Sequence, residues 1–254
     1  MKVLHLSDIH YRKNYTDKNK YESMLLAMDS TLDRLQKFMK TIDKVDCIVI
    51  TGDLCDDGTC DDYTELMTYL DSLSIPYVLC LGNHDKKQTF YKGWFNKVDD
   101  KPYLGISVIQ DIPFIYFDNS KYGYPNGYVD DDRLNWLKEA LLKYPKSVVL
   151  MHHQFEDLPG IPGLEKGDML KELLIKESPL AILTGHTHWF KQGNIGNVSY
   201  YTAPSFSFRG LNVEDGSVIF TQAQGYNLYE ISKESCELLK ESAIEGKHLA
   251  TWKD

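Results

Sequence analysis

Six short apolar runs, separated by longer amphipathic stretches, constrain the fold of this chain more than any other feature. They read KVLHL from residue 2, CIVITG from 47, YVLCLG from 77, IPFIYF from 112, SVVLM from 147 and LAILTG from 180. Each has the length of a strand, and several are apolar at nearly every position, as strands covered on both faces are. Between them, Met24, Leu25, Met28, Leu32, Leu35, Phe38 and Met39 recur at three- and four-residue spacing, so residues 21–42 are expected to be helical. Residues 62–73, 131–143 and 166–176 carry weaker versions of the same pattern. Strand–helix alternation of this kind implies an α/β fold. From about residue 195 the pattern changes: NVSYYTAPSF, SVIFTQA and YNLYEIS read as strands separated by turns, an antiparallel β-rich region. No linker, repeat or low-complexity tract divides the chain, so residues 1–254 are expected to form a single domain. The Pro- and Gly-rich stretch 154–168 and the Tyr-rich stretch 118–130 are the loops expected near function.

Five of the apolar runs lead directly into polar residues able to bind a metal. KVLHLS precedes Asp8 and His10, CIVITG precedes Asp53, and YVLCLG precedes Asn83, His84 and Asp85. SVVLM precedes His152 and His153, and LAILTG precedes His186 and His188. In open α/β sheets, ligands bind beyond the carboxyl ends of the strands. Each piece alone has a plain structural explanation. Asp-x-His is usually a solvated turn, and Gly-Asp after a strand is common turn chemistry. A His-His pair can be half core and half surface, and the residues alone leave open which ring would bind. Alternation along an extended chain puts His186 and His188 on one side. A purely structural account needs an independent coincidence at each of five strand ends. The donors are nitrogen and oxygen without thiolate, which suits Zn, Mn or Fe and disfavours a Cys-rich zinc site or an all-oxygen calcium site. Seven such groups exceed the needs of one ion and suit two ions sharing a carboxylate.

In order and spacing, these elements resemble the signature of the calcineurin-like metallophosphoesterase superfamily. Asp8-Ile9-His10, Gly52-Asp53, Gly82-Asn83-His84-Asp85, His152 and Gly185-His186-Thr187-His188 stand in the family's order, and the likeness runs from residue 3 to about 207. The resemblance implies two β-sheets sandwiched between helices, a four-layer α/β/β/α arrangement. It implies a pair of divalent or mixed-valence ions, one bound by Asp8, His10 and His188 and the other by Asn83, His152 and His186, with Asp53 bridging. It makes His84 the catalytic histidine and Asp85 its orienting partner. It favours His152 over His153 as the ligand, although Gln154 stands where relatives carry proline. The segment GHTH…YYTAPSFSF looks like the bacterial cyclic-nucleotide phosphodiesterase branch. The implied reaction is hydrolysis of a small phosphodiester by a metal-bound hydroxide. A phosphomonoesterase or nucleotide pyrophosphatase is the alternative on the same site, and a non-catalytic scaffold is the alternative of another class. Asp57 replaces the phosphate-clamping arginine of the family's protein phosphatases, which argues against that activity. Arg12, His153 and Arg209 are the candidate substrate contacts, since a guanidinium can fork onto phosphate; surface solvation is the competing explanation for the two arginines.

Bulk properties set the remaining expectations. A formal charge of −9 argues against a partner as long and anionic as nucleic acid. Bound cations would reverse the local sign at the site, so a small phosphoester is still admissible. The N-terminus MKVLHLSDIH has no h-region, and no apolar stretch approaches membrane-spanning length, so no membrane partner is expected. Five scattered cysteines without a CxxC pair point to a reducing compartment, the cytoplasm. The C-terminal strands offer an edge through which a homodimer could form.

Overall fold

The computed structural model describes residues 1–156, 161, 163–165 and 167–253. Residues 157–160, 162 and 166 lie outside it, and with them much of the expected loop 154–168 and the first residue of the expected helix 166–176.

The first sheet takes three parallel strands from the N-terminal half: β1 (Lys2–Leu6), β2 (Cys47–Thr51) and β3 (Tyr77–Cys80). The C-terminal strands β10 (Phe208–Asn212), β11 (Val218–Ile231) and β12 (Cys236–Trp252) complete it, in the order β10-β11-β1-β2-β3 with β12 along β11. β11 runs antiparallel to β1, pairing Val3 with Tyr229. The second sheet has the order β4-β5-β6-β7-β9-β8, from β4 (Gly105–Ile109) and β5 (Ile112–Tyr116) through β6 (Val148–Leu150) and β7 (Ala181–Thr184) to β9 (Val198–Thr202) and β8 (Lys191–Ile195). Its four inner strands are parallel and its two edge strands antiparallel.

Side-chain alternation along each strand turns these sheets into four layers. Cys47 and Val49 of β2 point into a core shared with Phe114, Val148, Leu150 and Leu183 of the other sheet. Their neighbours Ile48 and Ile50 point the opposite way, toward α2 (Thr31–Met39), α3 (Cys60–Ser72) and α4 (Lys87–Phe95). On the far side, Val149 and Ile182 face α5 (Asp131–Lys143) and α6 (Gly167–Glu177). The expected α/β/β/α sandwich is therefore the fold. Among the described residues no helix is long and apolar enough to cross a membrane.

Two local expectations are corrected, and one strand had none. Residues 21–42 are not one helix: α1 (Lys20–Leu26) stops, and α2 begins anew behind Ser30, whose side chain accepts a hydrogen bond from the Asp33 N–H. A serine that can cap competes with helix continuation. SVIFTQA and YNLYEIS are halves of one strand, β11, and Gly225 between them is not a turn. A Cβ there would lie 2.5 Å from the Pro204 carbonyl oxygen, so this glycine serves a close backbone approach. β12 escaped notice because CELLKESAIEGKHLATW is polar and mostly exposed, with no clean period of two.

The inter-sheet core should dominate stability. Leu183→Ala, a fully buried truncation between the sheets, is expected to cost about 2–5 kcal/mol in urea unfolding. Leu142→Ala on the exposed face of α5 should stay within about 0.5 kcal/mol.

Candidate metal centre

The carboxyl ends of β1, β2, β3, β6 and β7 meet at one rim, and the chain leaves them through unusual backbone. Asp8 (φ 53°), His10 (46°), Asp53 (46°), His186 (71°) and His188 (63°) all adopt the left-handed conformation. For residues with a Cβ this costs of order 1–3 kcal/mol each and clusters where function over-determines the structure. Hydrogen bonds between strand ends hold it: Asp8 N–H to Gly52 O (3.1 Å), His10 N–H to Asp53 O (2.9 Å) and Gly185 N–H to His152 O (3.0 Å). Gly52 itself has φ 84°, and a Cβ there would lie 2.4 Å from His152 Nδ1.

The turns bring the expected donors together. Potential ligand atoms of Asp8, His10 and His188 lie within 4.8 Å of one another, as do those of Asp8, Asp53 and His152. Asp8 Oδ1 is 3.4 Å from His188 Nε2, and Asp53 Oδ2 is 3.6 Å from His10 Nε2. His152 Nε2 lies 3.2 Å from Asp53 Oδ2 but out of line for a hydrogen bond. Among the described residues, His10 Nε2, Asn83 Oδ1, His152 Nε2 and His186 Nε2 are all buried without a hydrogen-bond partner. Buried polar atoms are nearly always paired, so several unpaired lone pairs at one rim fit a cation. The opposite ring nitrogens are engaged: His152 Nδ1 donates to Thr51 O (2.7 Å), and His10 Nδ1 lies 3.1 Å from Asp56 Oδ1. Holding the Nδ1 side in this way leaves the Nε2 lone pair for a metal.

Protonation suits the same use. Burial alone would raise Asp8, but the neighbouring His188 and His152 draw it down to about 2. Asp53 is likewise held well below the carboxylate range by His152 and His84 against the pull of burial. Burial pushes His186 down to about 3, so its imidazole is neutral.

The structure corrects the partner of His84. Asp85 is buried and points away from it, accepting hydrogen bonds from the N–H groups of Leu54 (3.1 Å), Cys55 (3.1 Å) and Gly82 (2.9 Å) and from the Tyr63 hydroxyl (2.8 Å). Asp85 braces the strand ends. The carboxylate facing His84 is Asp56, with Oδ1 2.8 Å from His84 Nδ1. The same oxygen accepts from the Tyr21 hydroxyl (2.8 Å) and meets His10. Burial lowers the His84 pKa, but Asp53, then Asp56 and Asp57, outweigh it and raise it to about 10. Asp56 lay in plain view in GDLCDDG, yet nothing in that run separates it from Asp57. Asn119 was also missed: its Oδ1 accepts from the N–H groups of both His152 (3.0 Å) and His153 (3.1 Å).

The three candidate substrate contacts fare unequally. Arg12 is half-buried two residues beyond His10 and has no hydrogen-bond or ion-pair partner among the described residues. Arg209 is committed elsewhere, paired with Glu245 and lying over the Trp189 ring at 4.5 Å. His153 is fully buried, so it cannot meet a substrate from solvent. Of the two expected loops, 118–130 does reach the site: the Gly123 N–H donates to Asn83 O (2.8 Å).

The family model described as "Calcineurin-like phosphoesterase" matches residues 1–190. A "Probable cyclic nucleotide phosphodiesterase" of Rhodococcus erythropolis is 27% identical over 92% of this chain and 80% of its own length. A "Probable glycerophosphodiester phosphodiesterase GpdQ" of Arcobacter nitrofigilis is 32% identical over 57% of each chain. Among solved structures, TT1561 of Thermus thermophilus shares the fold with a TM-score of 0.51, at 14% identity over 87% of this chain and 93% of that one.

Exchanging the two acids separates their roles. In metal-free protein, Asp56→Asn removes a negative charge beside His84 and should lower its pKa in an NMR titration. Asp85→Asn should leave that pKa near the wild-type value and instead lower unfolding stability by about 1–3 kcal/mol, through unpaired buried N–H groups.

Proposed function

The chain belongs to the calcineurin-like phosphoesterase family, and from that membership we propose that it hydrolyses a small phosphodiester at a two-ion centre. The observation that carries this reading is the set of buried, unpartnered donors His10 Nε2, Asn83 Oδ1, His152 Nε2 and His186 Nε2 around Asp53. A non-catalytic scaffold would have no use for lone pairs left unpaired at this cost. Asp8, His10 and His188 would hold one ion, Asn83, His152 and His186 the other, with Asp53 between them. Nitrogen and oxygen donors without thiolate fit Mn, Fe or Zn. When bound, such ions supply Lewis acidity to phosphoryl oxygens and lower the pKa of a water.

The chain's own residues supply the rest. His84 is partly exposed, with 30% of its side chain accessible, and Asp56 holds its Nδ1. Its other nitrogen is then free to donate a proton to the phosphoryl group or the departing oxygen. The Tyr21 hydroxyl and His10 hold Asp56 in place for that task. The substrate is a diester in this reading for two reasons. Relatives across most of the chain carry diesterase names. Asp56 and Asp57 stand beside His84, and their charge opposes a phosphomonoester dianion more than a diester monoanion. Five free cysteines, three of them buried, fit a reducing compartment, and the cytoplasm is our assignment. Residues 1–254 are read as one domain because β1 and β11 share a sheet.

Metal-stripped protein resupplied with Mn²⁺ should cleave bis-p-nitrophenyl phosphate in preference to p-nitrophenyl phosphate. His84→Ala should keep its metal content while turnover falls about 10²–10⁴-fold. Asp53→Asn should lose metal. A preference for the monoester would move the assignment to phosphatase, and full turnover in His84→Ala would remove that residue from the mechanism.

A further inference from the structure

The two-ion reading leaves two buried histidines without a task, and His5, unlike His153, is satisfied by Thr51 and Tyr229. His153 is fully buried, and among the described residues neither of its ring nitrogens has a hydrogen-bond partner. An imidazole carries a donor and an acceptor in its neutral form, and in a protein interior at least one is ordinarily satisfied. Its ring centroid lies 4.2 Å from that of His186 and 4.9 Å from that of His152, at interplanar angles of 52° and 84°. Potential ligand atoms of His152, His153 and His186 all lie within 4.8 Å of one another. With Zn–N bonds of about 2.0–2.1 Å, such a spread closes onto one ion with a small ring movement.

The main chain is prepared as carefully for His153 as for its neighbour. Asn119 Oδ1 receives both N–H groups, and the Asn119 amide donates to His153 O (3.0 Å). Gly127 backs the ring from the loop 118–130: a Cβ there would lie 2.8 Å from His153 Cγ.

We propose that His153 is a further ligand of the second ion, which would then be held through three imidazoles, His152, His153 and His186, with oxygen from Asp53 and Asn83. The inference rests on the two-ion reading above. Three imidazoles on one ion favour zinc or iron over manganese at that position, so the two positions differ in the metal they select.

The test uses the full chain, stripped of metal and checked for folding by circular dichroism. Wild type, His153→Ala and the bulkier His153→Gln are titrated with Zn²⁺ against a chromophoric chelator, and with Co²⁺ followed through its visible d–d bands. Wild type should take two ions. Each folded variant should hold one of the two ions as wild type does and bind the other at least tenfold more weakly, with altered cobalt bands for that ion. Loss of a residue that only supports other ligands can also weaken metal binding 10–100-fold, so the spectrum decides. Weaker binding with unchanged cobalt bands, or unchanged affinity, would overturn the assignment. Fewer than two ions in wild type would overturn the two-ion centre itself, and the inference with it.

Discussion

Asp53 ends β2 in one sheet, yet its carboxylate lies 3.2 Å from His152, which follows β6 in the other. The inter-sheet core makes this meeting geometrically necessary. Val49 and Leu150, on the same two strands, share that core and bring the strand ends level. Asp8, His10, Asp53 and Asn83 come from the first sheet and His152, His186 and His188 from the second. A buried, ionised carboxylate is costly unless opposite charge is near. The rim gathers Asp8, Asp53 and Asp56 with several imidazoles, a set that a pair of cations balances better than protons do.

Asp56 ties that charge cluster to His84, the proposed proton donor. A single oxygen, Oδ1, meets His10, His84 and the Tyr21 hydroxyl. His10 is a candidate ligand, so the orientation of His84 and the geometry of the first ion position share one anchor. Tyr21 arrives on α1, which packs through Met24 and Leu25 against Phe208 and the partly buried Ala250 and Trp252. The C-terminal strands β10–β12, all beyond the segment matched by the family model, thereby support a residue at the centre of the site.

How much of this was legible in the sequence follows from what each feature depends on. Strands buried on both faces are written as unbroken apolar runs, so their ends were visible, and with them Asp8, His10, Asp53, Asn83 and the histidines. The direction in which a side chain leaves a strand end was not visible. Asp85 and Asp56 are both acids in polar turns. Asp56 lies between the left-handed residues Asp53 and Asp57, and the Asp57 N–H donates to His84 O, a backbone path with no signal in the sequence. Tyr21 lay in a segment read for its apolar face alone, and the Ser30 cap that ends that reading is a single hydrogen bond. Arg209 looked free because its partner, Glu245, sits on β12, a strand with no hydrophobic period to announce it.

In the proposed centre, Asp53 lies between two ions. Crystals soaked in Mn²⁺ and then in Zn²⁺, with anomalous data at each absorption edge, test it directly. Two anomalous peaks are expected within bonding distance of Asp53, one beside Asp8, His10 and His188 and the other beside Asn83, His152 and His186. A single peak, or two peaks that leave Asp53 unbound, would contradict it.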